Sequence, residues 1–389
     1  MPDDTRPRPT SYPEGFASSS RDRRALLVLS ALSGMTARTL LEVAEREGSA
    51  ADCLGAVLAG RAGSPGDQRW APKVQADALD RGLESCGARM VTWADAEYPP
   101  GLADLTDPPA VVYVRGRDLR SLQPAVAVVG SRRCSDLGRE VATDLGRGLA
   151  AVGVCVVSGA ARGIDSASHR GALDAAGTTV AVLGSGIDVL YPPGSRRLLH
   201  DIEAAGAVVS EYPPAIAAEP WRFPARNRIV AGLARALVVV EGAGRSGSMI
   251  TVEHALELGR EIFAVPGPVT SPLSEVPLAL LRDGAVPIRG APDLLDDLGF
   301  RGRPAVREGP PGLPDDERRV FERLAGASLP DAVARSVGVS IPEAVASLIR
   351  LELRGLVRNV GGRYERRLST TPVEPPKEAG REEAEPAEA

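Results

Sequence analysis

Short apolar runs alternate with amphipathic stretches of helical length through the middle of the chain. The runs are Ala125–Val129, Val154–Val157, Thr179–Leu183, Ala207–Val209, Ala236–Val240 and Glu261–Val265. Val-rich runs without polar alternation read as strands buried on both faces, and helix-length connections between them specify parallel pairing. The pattern predicts an α/β fold, a doubly wound parallel sheet spanning residues 88–300. Two further apolar segments, Arg89–Trp93 and Val111–Val114, are expected to add edge strands.

The flanks follow other periods. Residues 21–87 are helical, with apolar clusters at Ala25–Leu29 and Leu40–Val43 separated by Gly34-Met35-Thr36. Thr36 is the expected N-cap of the second helix. Gly34 reads either as a helix C-cap or as the turn of a helix-hairpin-helix. After a Pro- and Gly-rich linker at 301–314, residues 315–368 give three helices, Asp316–Leu324, Pro330–Val337 and Pro342–Arg354. Leu356–Val360, Gly361-Gly362 and Arg363–Glu365 then form a hairpin, the order of a winged helix. Such a domain either reads duplex DNA through its third helix or contacts protein. Segments 1–20 and 369–389 carry the Pro, Ser, Glu and Gly bias of chain that cannot fill a core, so both are expected to be disordered tails.

Charge changes the picture only when it is divided along the chain. The net charge is −5, but Thr371–Ala389 holds six Glu against one Lys and one Arg, so most of the acidity belongs to the tail. Of 46 basic residues only Lys73 and Lys377 are lysine, so clusters of cations are clusters of bidentate arginines. Four cysteines lack C-x-x-C spacing, and His169, His200 and His254 lie far apart, so no metal site is expected and the thiols read as reduced. No run of eighteen apolar residues and no apolar leader occurs, which predicts a cytoplasmic protein.

Four of the predicted strands end in Gly- or Ser-rich loops that precede helices. These are Gly130-Ser131-Arg132-Arg133, the segment Ser158, Gly159, Ala160, Ala161, Arg162, Gly163, Ile164 and Asp165, then Gly184–Asp188, and Gly242–Ser248. A doubly wound sheet puts all four on one edge, where glycine allows close backbone approach and helix N-termini attract anions. Arg132, Arg162 and Arg245 add charge, and Phe223–Arg228 brings Arg226 and Arg228 to the same edge. Tyr191, Tyr212, Trp221 and Phe223 lie in the surrounding loops, positioned either to stack on unpaired bases or to pack against neighbouring prolines.

The reactive alternatives fail on spacing. Neither lysine follows a Gly-rich loop, so the triphosphate-binding P-loop is absent. Gly242-x-Gly244-x-x-Gly247 matches a dinucleotide fingerprint, but Val265-Pro266-Gly267 stands where the ribose-binding acid belongs. Gly244–Ser248 lacks the last glycine of a serine-nucleophile elbow. Asp165 and His169, four apart on a helix, form an acid–base pair or, on the simpler reading, an N-terminal Asp bonded to a structural His. Glu253 and His254 read as ordinary helical residues. What remains is an Arg-rich anion-binding edge with no cofactor and no catalytic residue expected, suited to a polyphosphate backbone.

At these residues the chain resembles the DNA-processing A (DprA/Smf) family. The matching strings are Val128–Arg132, Ser158–Asp165, Gly184–Asp188 with Tyr191-Pro192, Arg226–Gly232, and Ser246–Thr251 leading to Gly259-Arg260 and Phe263–Gly267. The resemblance implies an extended Rossmann-like domain preceded by a SAM or helix-hairpin-helix-like domain and followed by the winged helix. It also implies a non-enzymatic protein that binds single-stranded DNA in a basic pocket, forms a homodimer through that domain and loads RecA, with single-strand-binding protein as a further contact. Carried over residue by residue, it puts Gly130, Ser131, Arg132, Ser158, Gly159, Ala161, Arg162, Gly163, Asp165, Arg226, Asn227, Arg228, Ser246, Gly247 and Ser248 at the pocket. Ala225 stands where family members often carry a base. The implied setting is DNA uptake in natural transformation or recombinational repair. The competing readings are a nucleotide phosphoribohydrolase-like enzyme, which Gly244–Glu253 distantly echoes, and a duplex-binding winged-helix regulator.

Overall fold

The computed structural model describes residues 11–192, 194–244, 246–300, 313–324 and 328–366. They divide into two compact units, split after residue 304.

The first unit is built on a nine-stranded sheet. Its strands are β1 (Arg89–Thr92), β2 (Val111–Gly116), β3 (Ala125–Val129), β4 (Cys155–Ser158), β5 (Thr179–Gly186), β6 (Ala207–Tyr212), β7 (Ala236–Val239), β8 (Glu261–Ala264) and β9 (Val286–Pro287). The spatial order is β1-β2-β6-β5-β4-β3-β7-β8-β9. From β6 to β9 every pairing is parallel, while β2 runs antiparallel to both β6 and β1. All five residues of β3 are buried, as is every residue of β4, β5 and β7, which is why these strands read as unbroken apolar runs. The chain winds from β3 through β6 on one side and from β7 through β9 on the other. The topological switch point therefore falls between β3 and β7.

The helical residues ahead of the sheet pack onto it through shared cores. Leu27 and Leu83 join Val111, Tyr113 and Ile187 in one cluster, and Ala110 joins the helical cluster in another. The expected tail at 1–20 is corrected over its second half. Tyr12 and Phe16 are buried and stack at 4.6 Å, and the Tyr12 hydroxyl donates to the Pro108 carbonyl at 3.1 Å. Two rings supply more apolar area than the surrounding prolines and serines conceal. Thr36 is the N-cap of Ala37–Glu47, its hydroxyl accepting from Thr39 N. Gly34 is not a C-cap, since the helix Ser20–Ser30 is capped by Ala31; a Cβ at Gly34 would stand 2.3 Å from the Asp67 carboxylate.

The second unit is a winged helix with helices Asp315–Arg323, Pro330–Val337 and Ile341–Leu353. Strands β10 (Val357–Val360) and β11 (Arg363–Arg366) pair around Gly361 and Gly362, both at positive φ, the conformation a tight hairpin turn demands. Leu313, Val320, Phe321, Val333, Leu348 and Leu351 form its core. The linker at 301–312 and the acidic tail at 369–389 lie outside the described residues. Among the described residues no single helix is long and apolar enough to cross a membrane.

Candidate functional site

The loops after β3, β4 and β7 converge at the switch point, and the helix Arg222–Gly232 lies across them. Together they enclose an open cavity of about 620 Å³, lined by Ser131, Arg132, Arg133, Asp165, Asn227, Ser246 and Ser248 among others. A second hollow of about 300 Å³ adjoins it, sharing Arg132, Arg133, Phe223 and Arg226 and adding Arg162, Gly184, Ser185, Tyr191 and Pro192. The structure brings most of the predicted residues to one edge and divides them by role.

Ser131, Arg132, Gly159, Ala161, Asp165, Arg226, Asn227, Ser246, Gly247 and Ser248 line the main cavity together with Gly130. Arg162 lines only the adjoining hollow. Ser158 and Gly163 act one layer back. The Ser158 hydroxyl donates to the Val128 carbonyl at 2.7 Å, tying β4 to β3. Gly163 sits at φ +81°, where a Cβ would come within 2.2 Å of the Ser131 carbonyl, so this crossing of two loops requires glycine. Arg245 lies outside the described residues.

Arg132, Arg133 and Arg162 are exposed, and none forms an ion pair among the described residues. The Arg132 guanidinium lies 5.3 Å from the centroid of the Phe223 ring, which holds a long side chain over the cavity mouth without neutralising it. Opposite, the helix Ser248–Glu257 starts at the cavity, its Ser248 N donating to the Ser246 hydroxyl at 3.3 Å and Met249 N to the Ser246 carbonyl at 3.1 Å. The Ser246 and Ser248 hydroxyls stand 2.8 Å apart there. Asn227 donates to the Gly247 carbonyl at 3.0 Å, fixing this loop against the crossing helix.

One expected anion seat is already taken. The Glu241 carboxylate, at the end of β7, accepts from Ser135 N at 2.8 Å and from the Ser135 hydroxyl at 2.5 Å. It closes the N-terminus of Asp136–Ala151, and a Cβ at Gly138 would stand 2.3 Å from it. The pyrophosphate position of a dinucleotide fold is thus occupied by the chain's own acid. An acid at the end of a core strand was the readable signal.

Arg226 forms the cavity floor. It is 5 % exposed, and its Nη1 donates to the Gly159 carbonyl at 2.7 Å and to the Val182 carbonyl. Burial lowers its pKa to about 10, with Asp165 opposing, so it stays charged at neutral pH. Burial likewise raises the pKa of Asp165, against the pull of Arg226. The Asp165 carboxylate accepts from Ala161 N at 3.3 Å.

His169 is not partnered by Asp165, contrary to the simpler sequence reading. Its Nδ1 lies 2.6 Å from the Thr179 hydroxyl, which itself donates to the Val156 carbonyl at 2.7 Å. Thr179 has spent its proton, so Nδ1 is the donor and Nε2 carries the lone pair. Burial pushes this imidazole down to about 3, so it is neutral and structural. His254 lies 3.3 Å from Glu257 on its own helix, away from the cavity.

The placement of Arg228 at the pocket is corrected. Its guanidinium, with 4 % of the side chain exposed, meets Glu211 at 2.6 Å and the Asp107 carboxylate at 3.2 Å on the opposite side of the helix. Residues two apart on a helix point about 200° away from each other. Arg226 and Arg228 therefore cannot share the cavity. The aromatics divide similarly. Tyr191 and Phe223 line the hollow with ring centroids 5.1 Å apart, whereas Tyr212 and Trp221 enclose Arg222 at 4.8 Å from each ring.

Comparison with known proteins follows the same boundaries. The model of the DNA recombination-mediator protein A family matches residues 89–299, and the DprA winged helix domain matches residues 304–363. A putative DNA processing protein DprA of Mycobacterium tuberculosis (strain H37Rv) is 41 % identical over 298 residues, covering 72 % of this chain and 77 % of that protein. Protein Smf of Escherichia coli (strain K12) is 40 % identical over 286 residues, covering 70 % and 76 %. The X-ray structure of DNA processing protein A from Streptococcus pneumoniae superposes with a TM-score of 0.62 at 34 % identity, covering 73 % of this chain and 99 % of that one.

Proposed function

Because this chain belongs to the DNA recombination-mediator protein A (DprA/Smf) family, we propose that its cavity receives the backbone of single-stranded DNA and that the protein loads a RecA-class recombinase onto it. The observation that carries this reading is the set of exposed arginines without an ion pair among the described residues, Arg132 and Arg133 at the main cavity and Arg162 at the adjoining hollow, beside the start of the helix Ser248–Glu257. A flexible polyanion meets that surface with charge-assisted hydrogen bonds and releases its counterions. Tyr191 and Phe223 in the adjoining hollow offer rings to unstacked bases, which a duplex withholds. The protein works as a homodimer beside single-strand-binding protein and turns over no substrate, so ATP hydrolysis in the reaction belongs to the recombinase.

Binding is measured with single-stranded and duplex oligonucleotides across a salt series. The single-strand constant falls with log salt at a slope of about −0.7 per phosphate contacted, with little sequence preference. Filament assembly by the cognate recombinase on coated strands is stimulated by the protein. Equal affinity for duplex, salt-independent binding, or absence of stimulation refutes the corresponding part of the proposal. Release of free adenine from AMP would establish the phosphoribohydrolase reading instead.

A further inference from the structure

The winged helix carries its third helix with the polarity of a protein-binding surface. Ile341–Leu353 holds one Arg and two Glu. That arginine, Arg350, is bound by Asp316 at 2.6 Å and by Glu317 at 2.8 Å. Arg354, which follows the helix, meets the same buried Glu317 at 3.0 Å. The cations at the end of the third helix are thus held by carboxylates of the first helix.

The outward face is apolar instead. Ala344, Ser347, Leu348 and Leu351 point into the core, so the opposite pole of the helix carries Pro342, Ala346, Ile349 and Leu353, spaced by four, three and four residues. That is the spacing of a coiled-coil seam. Ile341 at 53 %, Ile349 at 44 % and Leu353 at 77 % exposed widen it into a continuous stripe. Leaving such a stripe in water forgoes burial that packing against another helix would gain.

We infer that this stripe pairs with the same helix of a second copy, antiparallel, about a two-fold axis near residues 347 and 348. The seam is symmetric about that point: Pro342 meets Leu353 and Ala346 meets Ile349. The small Ala346 lets the two backbones approach at the crossing. Charge selects the direction. Glu343, Arg350 and Arg354 lie along one edge of the seam, and in an antiparallel pair like edges face each other. Glu343 of one copy, whose carboxylate also caps its own helix through Ser340, then stands between the levels of Arg350 and Arg354 of the other, which keep their bonds to Asp316 and Glu317 but stay about half exposed, and the helix dipoles oppose favourably. A parallel pair would set this edge against the one carrying Ile341 and Glu352. One face of a 13-residue helix buries on the order of a few hundred Å² per copy, below the roughly 1,200 Å² total of a stable standard-size interface. The contact is therefore a weak, reversible one that becomes effective where copies are concentrated on one strand.

The test uses the full chain carrying Ala346→Cys and a short bifunctional maleimide. Peptide mapping reads out links between position 346 of two chains, with the unsubstituted protein as the blank for its own thiols. The expected result is a covalent dimer joined through 346, at a yield well above that of Arg335→Cys, an exposed position off the stripe. Adding Ile349→Glu, which sets two carboxylates into the seam, lowers that yield by about fivefold or more while the circular dichroism spectrum is unchanged. No link through 346, equal yield from Arg335→Cys, or a yield insensitive to Ile349→Glu overturns the inference.

Discussion

Arg228→Ala separates structural from ligand-facing arginines on the crossing helix. The guanidinium is buried and donates to both Glu211 oxygens, at 2.9 and 2.6 Å, and to the Asp107 carbonyl at 3.1 Å. Burial alone would lower its pKa, but Glu211 and Asp107 outweigh burial and hold it above the usual arginine value, so it is charged throughout the accessible pH range. Removing one member of a buried ion pair generally costs about 3–5 kcal/mol, because the partner is left desolvated and unpaired. Here the Glu211 and Asp107 side chains retain 16 % and 30 % exposure, and water can reach them in part, which favours the lower end. A loss of about 3 kcal/mol corresponds to a fall in Tm of roughly 5 °C for a unit of this size. Thermal and urea unfolding of the full chain provide the measurement, with single-strand affinity taken well below the new Tm. Affinity stays within about twofold, since the cavity loses no donor. Combining Arg228→Met with Glu211→Gln recovers part of the loss, because neither group is then an unpaired buried charge. An Arg228→Ala protein with unchanged Tm and tenfold weaker DNA binding would refute this placement.

Arg132→Ala shows the opposite pattern: single-strand affinity falls by about 1.5–3 kcal/mol, the range for a hydrogen bond to a charged group, while stability stays within about 0.5 kcal/mol. Gly159→Ala puts a Cβ 2.4 Å from Arg226 Nη2, and displacing that buried guanidinium lowers stability by about 1–3 kcal/mol and weakens binding in the same gel-shift assay. His169→Gln flattens the acid limb of stability. With a folded pKa of about 3 against 6.5 for an ordinary histidine, the wild-type imidazole gives full stability above 6.5 and loses it as pH falls toward 3. Wild type minus variant, read as urea midpoints from pH 7.5 to 5, should change by about 2 kcal/mol; a flat difference would contradict the buried neutral imidazole.

The sheet was legible because strands buried on both faces carry no polar interruption, so Ala125–Val129 is a strand over the residues the pattern specified. The converging loops followed from parallel winding alone. The division of labour within Arg226-Asn227-Arg228 did not, because adjacent polar residues look alike until helix phase sends 226 to the cavity and 228 to Glu211. Tyr12 and Phe16 were hidden by a compositional average over a segment in which only they and Ala17 are buried among the described residues. His169 and Thr179 meet across a helix–strand contact that no local spacing encodes.

Glu241 bears on selectivity between compact nucleotides and longer polyanions. By sealing the N-terminus of Asp136–Ala151, it removes the seat at which a free dinucleotide would gain most of its grip on a fold of this kind. A compact ligand that touches only one point of the remaining rim gathers little attraction, whereas a strand long enough to span the rim sums several. On the proposed reading, the carboxylate acts as an internal decoy that favours polymers over compact nucleotides.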